Sequence, residues 1–154
     1  MCLVIDVNSI PAVFDPNSKD HEEFEPVKKW IIEGKGKMIY GGTKFINELG
    51  KLPKYAGLIN QLSNAGKTVI LDKERVDDEE RKVEKIMSHG CDDPHLIAIV
   101  RTSKCRVVCT KDSRADRHLK DHANYVKVCS PPKIYKGKAA ISVINDRNCV
   151  KCCQ

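Results

Sequence analysis

The chain has 154 residues, a length that suits one compact domain with a sizeable apolar core. Apolar residues make up 41% of it and charged residues 31%, which is a globular composition and excludes the disordered and fibrous classes. The 27 lysines and arginines against 21 aspartates and glutamates leave a formal net charge of +6, which favours a polyanionic partner. The longest uncharged apolar run, residues 96–100, is too short to cross a bilayer, and no export signal opens the chain. We therefore expect a cytoplasmic protein with no membrane partner.

Eight cysteines are an even number, as a disulfide scaffold would also have. Several of them lie inside apolar runs, where a thiol serves as a small hydrophobic side chain. Cys149 and Cys152 form a CxxC pair, and no second pair of comparable spacing completes the pattern of a structural zinc site. We expect reduced thiols, and we assign no function to the cysteine-rich tail.

The hydrophobic pattern alternates between strands and helices along the chain. Residues 2–5 form an unbroken apolar run, typical of a strand that is buried on both faces. Asp20 followed by Glu23 predicts a capping box, and the apolar stripe after it predicts a helix that ends at Gly34. The pattern then predicts a short strand at 38–40, helices at 43–49 and 54–64, a strand at 69–71 and an amphipathic helix at 72–88.

The second half of the chain continues this alternation. Asp93 and Pro94 suit the N-cap and the first position of a helix. That helix should be central, because residues 96–100 are apolar almost all the way round. The remaining predicted elements are strands at 106–110 and 125–129, a polar helix at 112–120 and an edge strand at 141–144.

Strands that alternate with helices in this way indicate an α/β fold. We expect a three-layer α/β/α sandwich around a mainly parallel sheet. One domain should cover residues 1–136, and residues 137–154 should form a C-terminal extension.

Four acids follow predicted strands or lie on the helices next to them. Asp6 ends the first strand, Asp112 follows the strand at 106–110, Asp93 opens the central helix, and Glu48 lies on a helix after a short strand. Because the carboxyl ends of parallel strands meet at one edge of a sheet, we expect these carboxylates to converge. Carboxylates held that close need a cation, and their oxygens suit Mg²⁺ or Mn²⁺. Such a site can hydrolyse a phosphodiester, and a basic surface around it would hold a nucleic-acid backbone.

Each acid also has a structural interpretation. Asp93 and Asp112 suit helix N-caps by local chemistry, and a glutamate such as Glu48 is usually solvated. Asp6 is harder to explain in this way, because a carboxylate after an apolar strand needs a partner, a metal or water. Asp92 competes with Asp93 for the role of ligand. The five histidines lie mostly in polar stretches, so we expect them at the surface.

Four short motifs together resemble the PIN-domain nucleases. They are LVIDVN at 3–8, GGTKF at 41–45 with EL at 48–49, DPHLIA at 93–98, and VCTKD at 108–112. The order and spacing of the four acids match the pattern of that family over most of the chain. The resemblance implies an α/β/α sandwich and a Mg²⁺- or Mn²⁺-dependent endoribonuclease. Many bacterial and archaeal members are toxins of toxin–antitoxin pairs.

The resemblance also assigns roles by position. Asp6, Glu48, Asp93 and Asp112 would be the catalytic acids. Asp6, Asp93 and Asp112 would bind the metal, with Asp116 as a further ligand, and Glu48 would orient water or a second ion. The candidates for substrate contact or for polar support of the acids are Asn8, Lys44, Thr110, Lys111 and Arg114. For the lysines and the arginine in this set, a solvated surface position is the alternative.

RNA is the expected substrate, and the family adds an antitoxin protein and a second copy of the chain as candidate partners. The rival function is a catalytically weak PIN-like scaffold that binds RNA or protein. A dehalogenase-type phosphatase would need an aspartate where Asn8 stands, and a P-loop would need a glycine at Gln61. The nuclease hypothesis requires Asp6, Asp93 and Asp112 to point to one place, with none of them held by an arginine.

Overall fold

The computed structural model describes residues 2–87 and 92–145, and within them it has an α/β fold. A central sheet of five parallel strands has the spatial order β3-β2-β1-β4-β5. Helices surround this sheet, which confirms the predicted α/β/α sandwich. The strands are β1 (Cys2–Ile5), β2 (Lys37–Tyr40), β3 (Thr68–Ile70), β4 (Val107–Cys109) and β5 (Lys133–Tyr135).

The helices pack mainly in pairs, α1 on α2 and α5 on α6. Short 3₁₀ turns occupy residues 7–9, 122–125 and 138–143. Across the described part of the chain, the structure has no helix of the length and apolarity that a membrane span requires. The α-helices are α1 (Ile10–Phe14), α2 (His21–Ile32), α3 (Thr43–Gly50), α4 (Pro53–Asn64), α5 (Lys73–Ile86), α6 (Pro94–Ser103) and α7 (Ser113–Lys120).

The core lies where the two central strands meet α6. Every residue of β1 and β4 is buried, as the unbroken apolar runs predict for strands covered on both faces. Residues 96–100 of α6 are fully buried, and α6 contacts β1, β2 and α5, so this helix is central as predicted. The packing brings the N-terminus of α6, with Asp93, into the interior of the fold.

The start of α3 is fixed by a close contact with α5. Gly42 has a φ of 83°, and a Cβ built on it would lie 2.6 Å from Cγ1 of Val76. The next residue, Thr43, donates its backbone N–H and its hydroxyl to Asp77, at 2.7 and 2.6 Å. The Asp77 side chain therefore caps α3 from a neighbouring helix and sets the position of the residues that follow.

The predicted strand at 125–129 is wrong. Residues 122–125 form a 3₁₀ turn, and in the segment that follows it Val126 is 61% exposed. Lys127 has a φ of 61°, which is incompatible with a strand. The last strand is instead β5, whose Tyr135 is fully buried and pairs with Cys109 of β4.

Two further local predictions are wrong. The predicted edge strand at 141–144 belongs mostly to the 3₁₀ turn at 138–143, where Ile141 is exposed. The predicted capping box does not form in the described chain, because the side chain of Asp20 makes no cap hydrogen bond. The carboxylate of Glu23 accepts instead from the backbone N–H of Lys138, at 2.9 Å. This bond ties the beginning of the predicted extension to α2.

Cysteine chemistry agrees with the prediction only in part. Cys109 and Cys129 are free thiols. Cys2 is disulfide-bonded, so the expectation of reduced thiols is wrong for this residue. It is also buried in β1, where a small hydrophobic side chain was expected. The CxxC pair lies outside the described residues, and the domain boundary at residue 136 stays a prediction.

Candidate metal centre

Asp6 is a buried carboxylate directly after β1, with only 1% of its surface exposed. Its Oδ1 accepts a hydrogen bond from the backbone N–H of Asn8 at 3.2 Å, and its Oδ2 accepts one from Thr110 Oγ1 at 2.8 Å. Burial raises the pKa of Asp6 above its usual range, although these two hydrogen bonds oppose the rise. The carboxylate is therefore held in place without a cationic partner in direct contact among the described residues.

The carboxyl ends of β1 and β4 are joined by two side-chain hydroxyls. Thr110 is fully buried, and its Oγ1 also accepts from the backbone N–H of Asp112 at 3.1 Å. Ser9, which the sequence analysis did not single out, accepts from the backbone N–H of Lys111 at 2.9 Å. Thr110 thus supports the acids and is not exposed to a substrate. Asn8 supports Asp6 through its backbone while its side chain is exposed.

Asp93 lies at the N-terminus of α6 beside the other acids. It is the N-cap residue and Pro94 is the first residue of the helix, as predicted, but among the described residues its carboxylate takes no cap hydrogen bond. The pKa of Asp93 is raised to about 6, first by burial and then by the negative charge of Asp6. Glu48 and Asp112 raise it further, and Lys44 lowers it. Asp6, Glu48 and Asp112 therefore all lie within electrostatic reach of Asp93.

Glu48 is only partly exposed, so the solvated interpretation does not describe it. Burial raises the pKa of Glu48, and so does the charge of Asp6, while Lys44 and Lys51 oppose the rise. Its Oε2 lies 3.5 Å from Nε2 of His95. The glutamate therefore faces the acidic cluster from α3.

His95 is the functional residue that sequence reasoning missed. It is 1% exposed, so the expectation of surface histidines is wrong for it. Within the described chain, neither ring nitrogen has a hydrogen-bond partner. Burial and the charge of Lys44 lower the pKa of His95 to about 3, which keeps the ring neutral. Glu48, Asp93 and His95 each offer one ligand atom, and these atoms lie within 4.8 Å of one another.

The available signal was the position of this histidine. His95 lies two residues after Asp93, in the first turn of a helix, and the five residues that follow it, 96–100, are all apolar. Because this part of the helix has no polar face, a histidine in its first turn is buried next to the acid that precedes the helix. An exposed histidine would have required a polar face at that position.

Asp112 differs from the other three acids because an arginine binds it. Its Oδ1 accepts from the backbone N–H of Arg114 at 2.9 Å, which caps α7, and from Arg114 Nε at 3.2 Å. Its Oδ2 accepts from Arg114 Nη2 at 2.9 Å. These bonds hold the pKa of Asp112 below its usual range. The helix-cap interpretation is therefore correct for Asp112, and the requirement that no arginine hold it is not met.

This ion pair is nevertheless exposed. The side chain of Arg114 is 79% exposed and also lies 3.7 Å from Asp92. Exposed ion pairs contribute about 1 kcal/mol or less, because water and salt screen them. A bound cation can therefore compete with Arg114 for the carboxylate of Asp112.

The two remaining acids near the site, Asp116 and Asp92, do not join the cluster. Both oxygens of Asp116 accept from Lys136 Nζ at 2.9 Å, so the structure pairs this predicted metal ligand with a lysine instead. Asp92 is largely exposed, and its backbone oxygen accepts from Lys44 Nζ at 2.7 Å. Asp93, not Asp92, therefore joins the cluster. Lys111 lies 3.5 Å from Asp20.

The donor set fits a divalent cation. The group consists of two partly buried carboxylates, Glu48 and Asp93, and the buried imidazole of His95, with Lys44 as the cation that most lowers the pKa of Asp93 and Glu48. The two buried ring nitrogens of His95 have no hydrogen-bond partner among the described residues, which a bound cation would explain and a set of solvated acids would not. Glu48, Asp93 and His95 are the residues that would hold the ion, whereas the predicted ligands Asp6 and Asp112 act on Asp93 electrostatically and are not in this group.

Three comparisons with known proteins bear on the family. No family model, no curated protein and no solved structure matches the chain. The resemblance to PIN-domain nucleases therefore stays a prediction that rests on the four sequence motifs.

Proposed function

We propose that the protein is a Mg²⁺- or Mn²⁺-dependent phosphodiesterase that hydrolyses RNA. The observation that carries this proposal is the position of Asp93, whose carboxylate lies beside Glu48 and His95 and is acted on by three other carboxylates from separate elements of the fold. Asp6, Glu48 and Asp112 each raise the pKa of Asp93, although they follow β1, lie on α3 and precede α7. Acids that serve only as caps or solvated surface groups have no reason to converge in this way.

The cluster is unfavourable without a cation. Like charges repel, and burial removes the water that would stabilise them. A bound Mg²⁺ or Mn²⁺ would neutralise this charge, bind a phosphate oxygen and lower the pKa of a water molecule. The energetic cost of the cluster is therefore explained if the native state binds such an ion.

The surrounding residues support this arrangement. Thr110 and the backbone of Asn8 orient Asp6. Lys44 lies at the cluster on a flexible side chain, and its Nζ would bind a phosphate oxygen of the substrate. Arg114 and Lys111 are exposed at the rim, where they would contact the RNA backbone. RNA as the substrate follows from the family resemblance and the basic net charge.

One observation favours the rival function of a catalytically weak scaffold. Arg114 binds Asp112 with both arms of its guanidinium group, which is how a protein neutralises a carboxylate without a metal. If this pair persists with divalent ions present, the centre lacks one of its four acids. A PIN-like module in that state would bind RNA or a protein partner without cleaving it.

A cleavage assay separates the two functions. Fluorescent RNA and DNA oligonucleotides are incubated with the protein in Mn²⁺, Mg²⁺ or EDTA. We expect RNA cleavage with Mn²⁺ or Mg²⁺, no cleavage in EDTA, and a loss of about 100-fold or more in Asp6→Asn. The control is Asp78→Asn, which makes the same chemical change at an exposed position on α5 and should keep the wild-type rate.

Two results would contradict the proposal. Wild-type rates in Asp6→Asn would show that the cluster does not carry the activity. Binding of RNA without cleavage in any metal would support the scaffold.

A further inference from the structure

The nitrogen atoms of His95 point to a ligand that the acids alone do not require. A buried polar atom without a partner costs free energy, so nearly all such atoms in proteins are hydrogen-bonded or bind water or an ion. His95 has two of them, and within the described residues no donor or acceptor satisfies either. A histidine that served only as core filler would gain by bonding to a neighbouring carbonyl or hydroxyl group.

The ring is held in a defined orientation towards the acids. It packs edge-on against Phe45, with 6.5 Å between the ring centroids. Its Nε2 lies 3.5 Å from Glu48 Oε2, too far for a good hydrogen bond. Two ligands of one metal ion with bonds near 2.0–2.1 Å in tetrahedral geometry are separated by about 3.4 Å. The observed separation therefore suits two ligands of one ion better than it suits a direct hydrogen bond.

The chemistry of the donors selects a class of ion. Glu48 and Asp93 offer oxygen atoms, which suit Mg²⁺ and transition metals alike, whereas imidazole nitrogen suits transition metals. A neutral imidazole is needed for ligation, and the buried environment of His95 favours that form. Lys44 is the neighbouring cation, and it too disfavours a protonated ring.

We propose that Glu48, Asp93 and His95 bind one transition-metal ion of the Mn²⁺, Co²⁺ and Zn²⁺ class, with His95 Nε2 as a nitrogen ligand. This inference deepens the proposed function, since it names the metal at the same centre, but it requires only binding and not cleavage. In this arrangement the other ring nitrogen, Nδ1, carries the proton. The centre then prefers Mn²⁺ to Mg²⁺, which an all-carboxylate centre would not do to the same extent.

Pulsed electron paramagnetic resonance tests the nitrogen ligand directly. The full chain is loaded with Mn²⁺ in the absence of RNA, once with natural histidine and once with ¹⁵N-histidine. We expect a nitrogen coupling to Mn²⁺ that changes with the isotope. A bound Mn²⁺ without such a coupling, or a chain that binds no Mn²⁺, would overturn the inference.

Two sets of variants assign the coupling to a residue. His95→Gln should lose it, while His122→Gln, an exposed control, should keep it. Because His95 is buried, its variant is checked for folding by circular dichroism. A second test leaves His95 untouched and replaces the other four histidines with Gln: the coupling must persist when His21, His89, His118 and His122 are removed.

Titration calorimetry measures the preference of the site for Mn²⁺ over Mg²⁺. Wild type should bind Mn²⁺ at least about tenfold more tightly than Mg²⁺, and His95→Gln should lose most of that preference. An unchanged preference in folded His95→Gln would count against the inference.

The outcomes of this proposal and of the proposed function are distinguishable. RNA cleavage by a Mn²⁺ centre without histidine coupling would leave the nuclease in place and remove the nitrogen ligand. Histidine coupling in a protein that cleaves no RNA would leave the nitrogen ligand in place and remove the nuclease.

Discussion

Thr110 Oγ1 donates a 2.8 Å hydrogen bond to Asp6 Oδ2, and this bond joins the ends of the two central strands. The same oxygen accepts from the backbone N–H of Asp112 at 3.1 Å. One buried hydroxyl therefore sets the relative position of two acids that are far apart in sequence. Both acids lie within three residues of the carboxyl end of a buried strand, so the sheet positions them.

Replacing this hydroxyl should weaken both the fold and the site. Thr110→Val keeps the shape of the side chain but leaves Oδ2 of the buried Asp6 carboxylate without its donor. We expect a loss of about 1–3 kcal/mol in the free energy of unfolding, measured by urea denaturation. The control is Thr102→Val, because the buried Oγ1 of Thr102 has no hydrogen-bond partner among the described residues. Equal losses in both variants would contradict the role of Thr110.

The contribution of Asp93 to the stability of the metal-free protein should fall as the pH rises towards neutrality. The pKa of Asp93 is about 6 in the folded state, against 3.8 for an ordinary aspartate. The folded state therefore holds this proton more tightly than the unfolded state. The stabilisation is complete below about pH 4 and is lost as the pH passes through about 6.

Comparison with Asp93→Asn isolates this effect from that of other acids. Urea denaturation in EDTA at several pH values from 4 to 8 should show the variant gaining stability relative to wild type as the pH rises. Addition of Mn²⁺ at pH 7 should then stabilise wild type more than Asp93→Asn. Parallel pH profiles of the two proteins would mean that Asp93 is not under electrostatic strain.

Removing Arg114 should strengthen metal binding. Its guanidinium group binds both oxygens of Asp112, and Arg114→Ala removes these two bonds while the backbone cap on Oδ1 stays. Because the pair is exposed, the gain in Mn²⁺ affinity should be modest, at most about fivefold in titration calorimetry. Arg81→Ala, which removes an exposed ion pair with Asp78 on α5, is the matched control and should leave the affinity unchanged. A loss of Mn²⁺ affinity in Arg114→Ala would show that Arg114 supports the centre instead of competing with the ion.

The fold was predictable where a segment's own pattern determines its structure. The apolar runs of β1 and β4 predict strands because both faces of those strands are buried. Strand β5 has only three residues and is ordered by its pairing with β4, so its own pattern does not predict it. The run at 125–129 has the composition of a strand, yet Lys127 has a positive φ and only Tyr125 in that run is buried. Tertiary contacts override local propensity in both places.

The acids of the site were predictable from the sequence, but the residues that contact them were not. Because strand ends in a parallel sheet share one edge, the sequence predicts that Asp6 and Asp112 are neighbours. The burial of His95 depends on how α6 packs, and the bonds of Arg114 to Asp112 depend on side-chain conformations. Neither leaves a periodic signal in the sequence. Sequence reasoning therefore finds the acids and misses the groups that modify them.

The glycine before α3 offers the last test, because it positions the helix that carries Glu48. Gly42→Ala would introduce both a strained φ and a Cβ contact of 2.6 Å with Val76. Gly66→Ala is the matched control, since Gly66 has a φ of 69° but its Cβ would meet no described atom within 4 Å. We expect a loss of about 1 kcal/mol in the control from φ strain alone, and about 2–4 kcal/mol in Gly42→Ala.

The difference between these two variants measures the contact of α3 with α5. In Gly42→Ala, displacement of α5 should also weaken the bonds of Thr43 to Asp77 and move Glu48 away from His95. Mn²⁺ affinity should therefore fall in Gly42→Ala and remain at the wild-type value in Gly66→Ala. Equal stability and equal affinity in the two variants would mean that α5 does not set the position of α3, and that Glu48 reaches the cluster without this contact.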